Sequence, residues 1–243
     1  MDGDKDLTGK EGHELLDSLR RGGRPAAGQD PVKRKQIIDG ARRVFINMGF
    51  DAASMNDITR EAGVSKGTIY VYFQNKEELF EALIEEERGE IFRNMYEALE
   101  NRDDLRVTLV RFGIALATKI TSAKVILAQR TVIGVSDRIP ELGARFYERG
   151  PRRGHARLVE FLEAAIGKGL LTVADVDLAA YQFTDLCMSK FFRQCLFAYR
   201  TEVPSNDEIG YVVRSGVDVF LKAYGTEKLA ALEQQNKASG KEA

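Results

Sequence analysis

The densest run of hydrogen-bonding chemistry in the chain is Ser65-Lys66-Gly67-Thr68, followed by Tyr70, Tyr72 and Lys76. Hydroxyls, ammonium groups and a residue without a side chain are poor ingredients for a core, but they suit a polyanion. At the start of a helix such a set gains free backbone N–H groups and the positive end of the helix dipole, both of which attract phosphate. Lys66 has the reach to donate to guanine O6 and N7, and Thr68 can offer its hydroxyl or methyl to base edges in a major groove. Tyr70 and Tyr72 suit phosphates, and Lys76 would set a second ammonium beside the backbone.

These groups need a scaffold, and the flanking residues describe one. Ser54 with Asp57 is a capping-box start, an N-cap hydroxyl paired with an acid three positions on. The helix it opens runs about two turns to Gly63, whose freedom at positive φ permits a turn. Val64 then plugs the angle between helices and Ser65 caps the next one. Ahead of this unit, Ile37, Ile38, Ala41, Val44, Phe45 and Met48 recur at the spacing of one helix face, with Gly49 as the stop. The pattern is a helix-turn-helix held against a first helix.

Helical periodicity dominates the remainder. The spacing predicts helices over 78–100, 105–122, 124–134, 152–168, 177–199 and 206–223, with stops at Pro140, Gly150-Pro151, Gly169 and Pro204. Only 71–73 and 170–173 tempt a strand assignment, and both are too short to make a sheet. The expected fold is all-α, a three-helix DNA-binding unit followed by a larger helical domain. The expected boundaries are a flexible arm over 1–30, the helix-turn-helix domain over 31–77, the helical domain over 78–224 and a flexible tail over 225–243.

The 243 residues hold 36 Lys+Arg against 37 Asp+Glu, a formal charge of -1. That balance argues against a histone-like packer and against an acidic disordered tail. The total conceals segregation: residues 20–47 hold eight basic side chains against two acidic ones, whereas 77–90 hold seven glutamates against one arginine. Cys187 and Cys195 are too few for a disulfide framework and read as core packing on one helix face. His13 and His155 have no partner at ligand spacing, so no metal site is expected. No phosphate loop or nucleophile elbow marks an enzyme, and Glu85-Glu86-Glu87 reads as a solvated helix face. No secretory signal or membrane span is legible, because Lys119 and Lys124 interrupt the most apolar stretch. The expectation is a cytoplasmic protein that needs no cofactor.

Ala41-Arg42-Arg43-Val44-Phe45, Gly49-Phe50, Ala62-Gly63-Val64-Ser65-Lys66-Gly67-Thr68-Ile69-Tyr70 and Tyr72-Phe73-Gln74-Asn75-Lys76-Glu77-Glu78-Leu79 together make residues 33–80 resemble the DNA-binding domain of the TetR family of transcriptional regulators. Thr59, counted among the DNA-facing residues, departs from the small Ala usual there. Arg138-Ile139-Pro140-Glu141-Leu142, Phe146-Tyr147-Glu148-Arg149-Gly150-Pro151 and Gly167-Lys168-Gly169-Leu170-Leu171 are similar to the C-terminal region of the AefR-like subgroup. Arg20-Arg21-Gly22-Gly23-Arg24-Pro25 resembles an Arg-Gly-Arg-Pro element that enters A·T-rich minor grooves, with Arg24 as the inserted side chain; a solvated basic linker is the other reading.

The resemblance implies a homodimer that binds a palindromic double-stranded DNA operator as a repressor and is released by a small-molecule effector. It also implies a cavity between C-terminal helices, for which Phe92, Phe112, Arg130, Phe146 and Phe183 are the candidate lining. Ala164, Ala165, Ala179 and Ala180, with Phe161, Phe183 and Phe191, suit close helix contact and make 152–168 and 177–199 the expected dimer interface. Two alternatives stay open: a DNA-binding protein whose second domain recognises a protein partner, and an all-helical enzyme.

Overall fold

The computed structural model describes residues 28–91, 98–99 and 104–238; the expectations for Arg24 and Phe92 lie outside them. Helix α1 (Pro31–Ala52) begins where the Asp30 carboxylate accepts from the N–H groups of Val32 and Lys33 at 2.9 and 3.2 Å, with Pro31 preset for the first turn. Ile37, Ile38, Ala41, Val44 and Phe45 are buried on one face as the periodicity predicts. Met48 is not: Gly49, at φ 77°, turns the chain there, leaving Met48 46% exposed and delivering Phe50 to the core instead. Phe45, Phe50 and Phe80 form a triangle with centroids 5.3 to 5.7 Å apart, a geometry that aromatic quadrupoles favour.

Helices α2 (Met55–Ala62), α3 (Lys66–Tyr72) and α4 (Lys76–Ile91) complete the N-terminal unit. The Ser54–Asp57 capping box is formed, and the Ser54 hydroxyl holds the Asp57 carboxyl below its ordinary pKa. Gly63 closes α2 in the left-handed region at φ 62°, where a Cβ is unfavourable. Gly40 lets α1 and α2 touch backbone to backbone: a Cβ there would lie 2.7 Å from the Ala62 Cβ. Ile58, Ile69 and Phe73 close the core beneath.

The second bundle comprises α5 (Leu105–Ile120), α6 (Ala123–Ser136), α7 (Pro140–Arg149), α8 (Pro151–Gly167), α9 (Val176–Met188), α10 (Phe191–Leu196), α11 (Asn206–Tyr224) and α12 (Glu227–Ala238). Its core is built on Leu109, Leu158, Leu162, Val213 and Val217, and on Phe183, which stacks on Phe112 and meets Phe220 edge-on. Among the described residues the sole β feature is one bridge, Leu171 to Gly225.

Three expectations about this bundle need correction. Pro140 and Pro151 start helices instead of stopping them, because a proline's fixed φ suits the first turn. The predicted helix over 177–199 is broken after Met188, so Cys187 and Cys195 sit on separate helices, although both are buried. Within the expected tail, Glu227–Ala238 is helix α12, docked by buried Leu229, by Glu233 on Arg106 at 2.8 Å, by Asn236 on Asp104 at 3.1 Å and by Lys228 on the Lys168 carbonyl at 2.7 Å.

The two units share core residues. Leu79, Phe80, Ala82 and Leu83 of α4 lie in the N-terminal core, past the boundary expected at residue 77. Val132, Val135 and Leu142, from α6 and α7, enter the same cluster.

Candidate nucleic-acid interface and adjoining cavity

Ser65 caps α3 as its hydroxyl accepts from the Thr68 N–H at 3.0 Å, and the two side-chain oxygens lie 2.7 Å apart. One hydroxyl hydrogen serves that contact and the other is left for an outside acceptor. Because Ile69 is fully buried, the residues at one-turn spacing on the opposite side face solvent: Lys66 with Tyr70, and Gly67 with Val71. Lys66 has no hydrogen-bond or ion-pair partner among the described residues. Tyr70 and Val71 are about half exposed. Sequence reasoning missed Val71; its signal was the four-residue spacing from Gly67. Gly28, the first described residue, lies against Val71, so the chain enters this unit beside α3.

Other expected DNA-facing residues are placed differently. Lys76 points inward, its ammonium donating to the carbonyls of Phe50, Asp51 and Ala53 at 2.9, 3.1 and 3.2 Å and lying 4.6 Å from the Phe50 ring centroid. All its N–H groups are engaged, so it is a cap for the end of α1 and not a free ammonium. Thr59 donates to the Met55 carbonyl at 2.6 Å, a bond back into its own helix. Tyr72 is half-buried against the N-terminal core.

The basic block of α1 is also largely partnered. Lys35 and Arg42 reach Glu86 of α4, at 3.1 and 3.6 Å, and Arg43 reaches Glu61 at 2.5 Å. Glu86 is thus an inter-helix partner and not the solvated charge expected of it. Its carboxylate raises the Lys35 pKa above the ordinary value.

A cavity of about 290 Å³ opens in the second bundle against α4 and α7. Of the expected lining residues, Phe112 and Phe146 face it. Phe183 does not, being fully buried between Phe112 and Phe220. Arg130 turns away to donate to the carbonyls of Leu196 and Cys195 at 2.8 and 2.6 Å, closing the end of α10. The wall includes side chains that sequence reasoning did not select, among them Ile84, Tyr147, His155, Tyr181 and Asp185. His155 bonds Asp177 at 2.8 Å and stacks on Tyr181 at 3.8 Å, and Tyr181 meets the Tyr147 hydroxyl at 3.1 Å. Those contacts join α7, α8 and α9, which no local spacing could reveal.

The alanines and phenylalanines expected at a dimer interface are mostly used within the chain. Ala165, Ala179, Ala180, Phe161, Phe183 and Phe191 are all buried in the bundle core. Phe197, Tyr199 and Tyr211 are more than 70% exposed.

Two short helices joined through a left-handed glycine, seated on a third, define a helix-turn-helix protein with an appended helical bundle. Comparison with known proteins carries this further. A model of bacterial regulatory proteins of the tetR family matches residues 37–83, and one of the AefR-like transcriptional repressor C-terminal domain matches 107–226. The chain belongs to the TetR family of transcriptional regulators, whose members are regulators and not enzymes. A TetR-family regulator from Mesorhizobium loti superposes with a TM-score of 0.72 at 25% identity, covering 80% of this chain and 97% of that one. The flavonoid-responsive regulator FrrA superposes at 0.63 with 31% identity, over 79% and 97%. The fatty acid metabolism regulator protein of Bacillus subtilis is 37% identical over 74 residues, 30% of this chain and 38% of that protein. The chain spans about a third to a half of the length of the curated relatives it matches. Among the described residues no helix is long and apolar enough to cross a membrane.

Proposed function

We propose that the chain is a homodimeric, sequence-specific repressor that binds a palindromic operator through α3 and leaves it when a small molecule fills the cavity. The observation that carries this reading is the shared wall between site and cavity. Phe80 and Leu83 of α4 are in the N-terminal core while Ile84 lines the cavity, and on α7 Leu142 is in that core while Phe146 lines the cavity. A ligand that moves Ile84 or Phe146 therefore moves the seat of α3. The cavity also favours a small molecule over a protein partner as what the second domain recognises.

Two-fold symmetry would set paired α3 helices about 34–36 Å apart, one duplex turn. An effector that prefers another separation needs a coupling of only ~1–3 kcal/mol to weaken DNA binding ~5- to 150-fold. The exposed aromatic side chains Phe197, Tyr199 and Tyr211 support an interface centred on α10 and α11. Arg24 belongs to this proposal as a minor-groove contact, since the chain reaches α1 by way of Val71 on α3.

The test is operator binding measured with the DNA upstream of the chain's own gene. Lys66→Ala and Tyr70→Ala should each lower specific affinity by about tenfold or more, with the sedimentation of the dimer unchanged. Wild-type affinity in both variants would remove α3 as the reading helix.

A further inference from the structure

The cavity's rim carries a contact that bears on how a ligand gets in; this inference rests on reading the cavity as the effector site. Of its described lining residues, Tyr147, Pro151, Tyr181 and Asp185 are exposed, so α7, α8 and α9 border its opening to solvent. Two of these side chains meet across it. The hydroxyls of Tyr147, from α7, and Tyr181, from α9, lie 3.1 Å apart, and among the described residues this is the only side-chain hydrogen bond between those two helices. Both tyrosines line the cavity while remaining 45% and 40% exposed, so they stand between it and water.

The two sides of the contact are held differently. Helix α9 is a fixed post: Ala179, Ala180, Phe183 and Cys187 are buried in the second core. Tyr181 stacks on His155 at 3.8 Å, and His155 in turn bonds Asp177 of α9 at 2.8 Å. Helix α7 is thinly anchored on this side. Leu142 is its one buried residue and belongs to the N-terminal core, and its Arg145 and Arg149 pair with Glu81 and Glu85 of α4. Arg152 lies near both tyrosines, but it is bidentate on Glu148 at 2.6 and 2.7 Å and ties neither of them down. A hydrogen bond between two half-exposed hydroxyls favours the joined arrangement only about two- to tenfold, so it opens readily.

We propose that the Tyr147–Tyr181 pair is a latch across the mouth of the cavity, with α7 as the leaf that moves and α9 as the post. Joined, the two side chains screen the cavity from water; parted, they admit a ligand. Leu142 rides on the same leaf, so opening the latch disturbs the N-terminal core as well. A latch differs from a ligand contact in its kinetics. Its bond is present before entry and re-forms behind the ligand, so it slows passage in both directions and leaves the equilibrium nearly unchanged.

The probe is N-phenyl-1-naphthylamine, a neutral apolar dye that fluoresces on leaving water, mixed with the full chain by stopped flow. Tyr147→Phe and Tyr181→Phe should each raise the association and the dissociation rate together by about two- to tenfold, so that Kd stays close to wild type. The double variant should be no faster than either single one, since each removes the same bond. In Ala128→Phe, which adds a ring to the cavity wall, dye binding should be lost with the helical circular dichroism retained. Unchanged rates in either tyrosine variant, or rate gains that multiply in the double variant, overturn the latch and leave the cavity reading standing. Faster dissociation alone, with Kd raised to match, also overturns it and makes the tyrosines direct ligand contacts. Absence of dye binding by the wild-type chain, or binding indifferent to Ala128→Phe, overturns both.

Discussion

Lys66 and Lys76 are ten residues apart and share a side-chain type, yet the fold gives them opposite work. Lys66 has no partner among the described residues and stands on the exposed side of α3, whereas Lys76 gathers the carbonyls that α1 leaves open at its end. Composition could not separate the two, because the difference lies in where Gly49 sends the chain and therefore where the Phe50 to Ala53 carbonyls point. Lys76→Ala should lower stability by about 1.5–3 kcal/mol, the range for hydrogen bonds to charged groups, seen as a lower denaturant midpoint. Its dependence of operator affinity on salt should match wild type, since no phosphate contact is removed. A reduced salt slope with normal stability would return Lys76 to the interface. At Cys187 the environment also overrides residue type: burial pushes the thiol up to about 12, so it behaves as a small apolar side chain.

Capping residues and a glycine turn made the helix-turn-helix legible, since Ser54, Gly63 and Ser65 act within a few residues of themselves; the Asp30 cap of the first helix was not read. Gly40 was not legible, because its role is the tertiary approach of α1 to α2. Gly40→Ala places a Cβ within 2.7 to 2.9 Å of Ala62 side-chain and backbone atoms. Overpacking of this kind costs about 1–3 kcal/mol, so the melting temperature should drop, and operator affinity should drop with it as α2 is lifted; a variant as stable as wild type would show that the helices can part freely. At the other end of the molecule, Ser205 and Glu208 form the capping box of α11, and Arg200 holds Glu208 in a bidentate pair at 2.9 and 2.8 Å. The Arg200 guanidinium, with the Ser205 N–H, lowers the Glu208 pKa from 4.5 to about 2. The depressed folded-state value means that this contribution to stability is complete above about 4.5 and is lost as pH falls toward about 2. Glu208→Gln should therefore melt lower than wild type at neutral pH and show a shallower decline across that acid window. An unchanged profile would mean that the pair gives no net stabilisation. Helix α12 shows the limit of pattern reading: beyond Leu229 and Leu232 it has little apolar signal, and its polar contacts reach residues more than fifty positions away.

At the scale of the whole chain, the neutral total conceals blocks of opposite charge that the fold then brings together. Lys35 and Arg42 from the basic block meet Glu86 from the acidic one, which ties α1 to α4 and reduces the positive charge left for DNA. The segregation was visible in sequence; its cancellation was not, because the partners are separated by most of the helix-turn-helix. The same element pairs connect the two cores. Leu142, 1% exposed, is contributed by the second bundle but buried with Ile37, Phe45 and Phe80 in the first. If that sharing transmits the occupancy of the cavity, damage to it must register at a distance. Leu142→Ala leaves a void in a core that α1 to α4 share with Val132 and Val135 of α6, with an expected loss of about 2–5 kcal/mol. Hydrogen exchange should then accelerate in α1 and α4, dozens of residues from the substitution, while the protection of α11 is retained. The opposite pattern, faster exchange confined to α7 and its bundle neighbours, would mean that the DNA-binding unit is stable without this side chain. The route from cavity to α3 would then have to run through α4, or through α6, which lines the cavity at Ala128 and enters the first core at Val132.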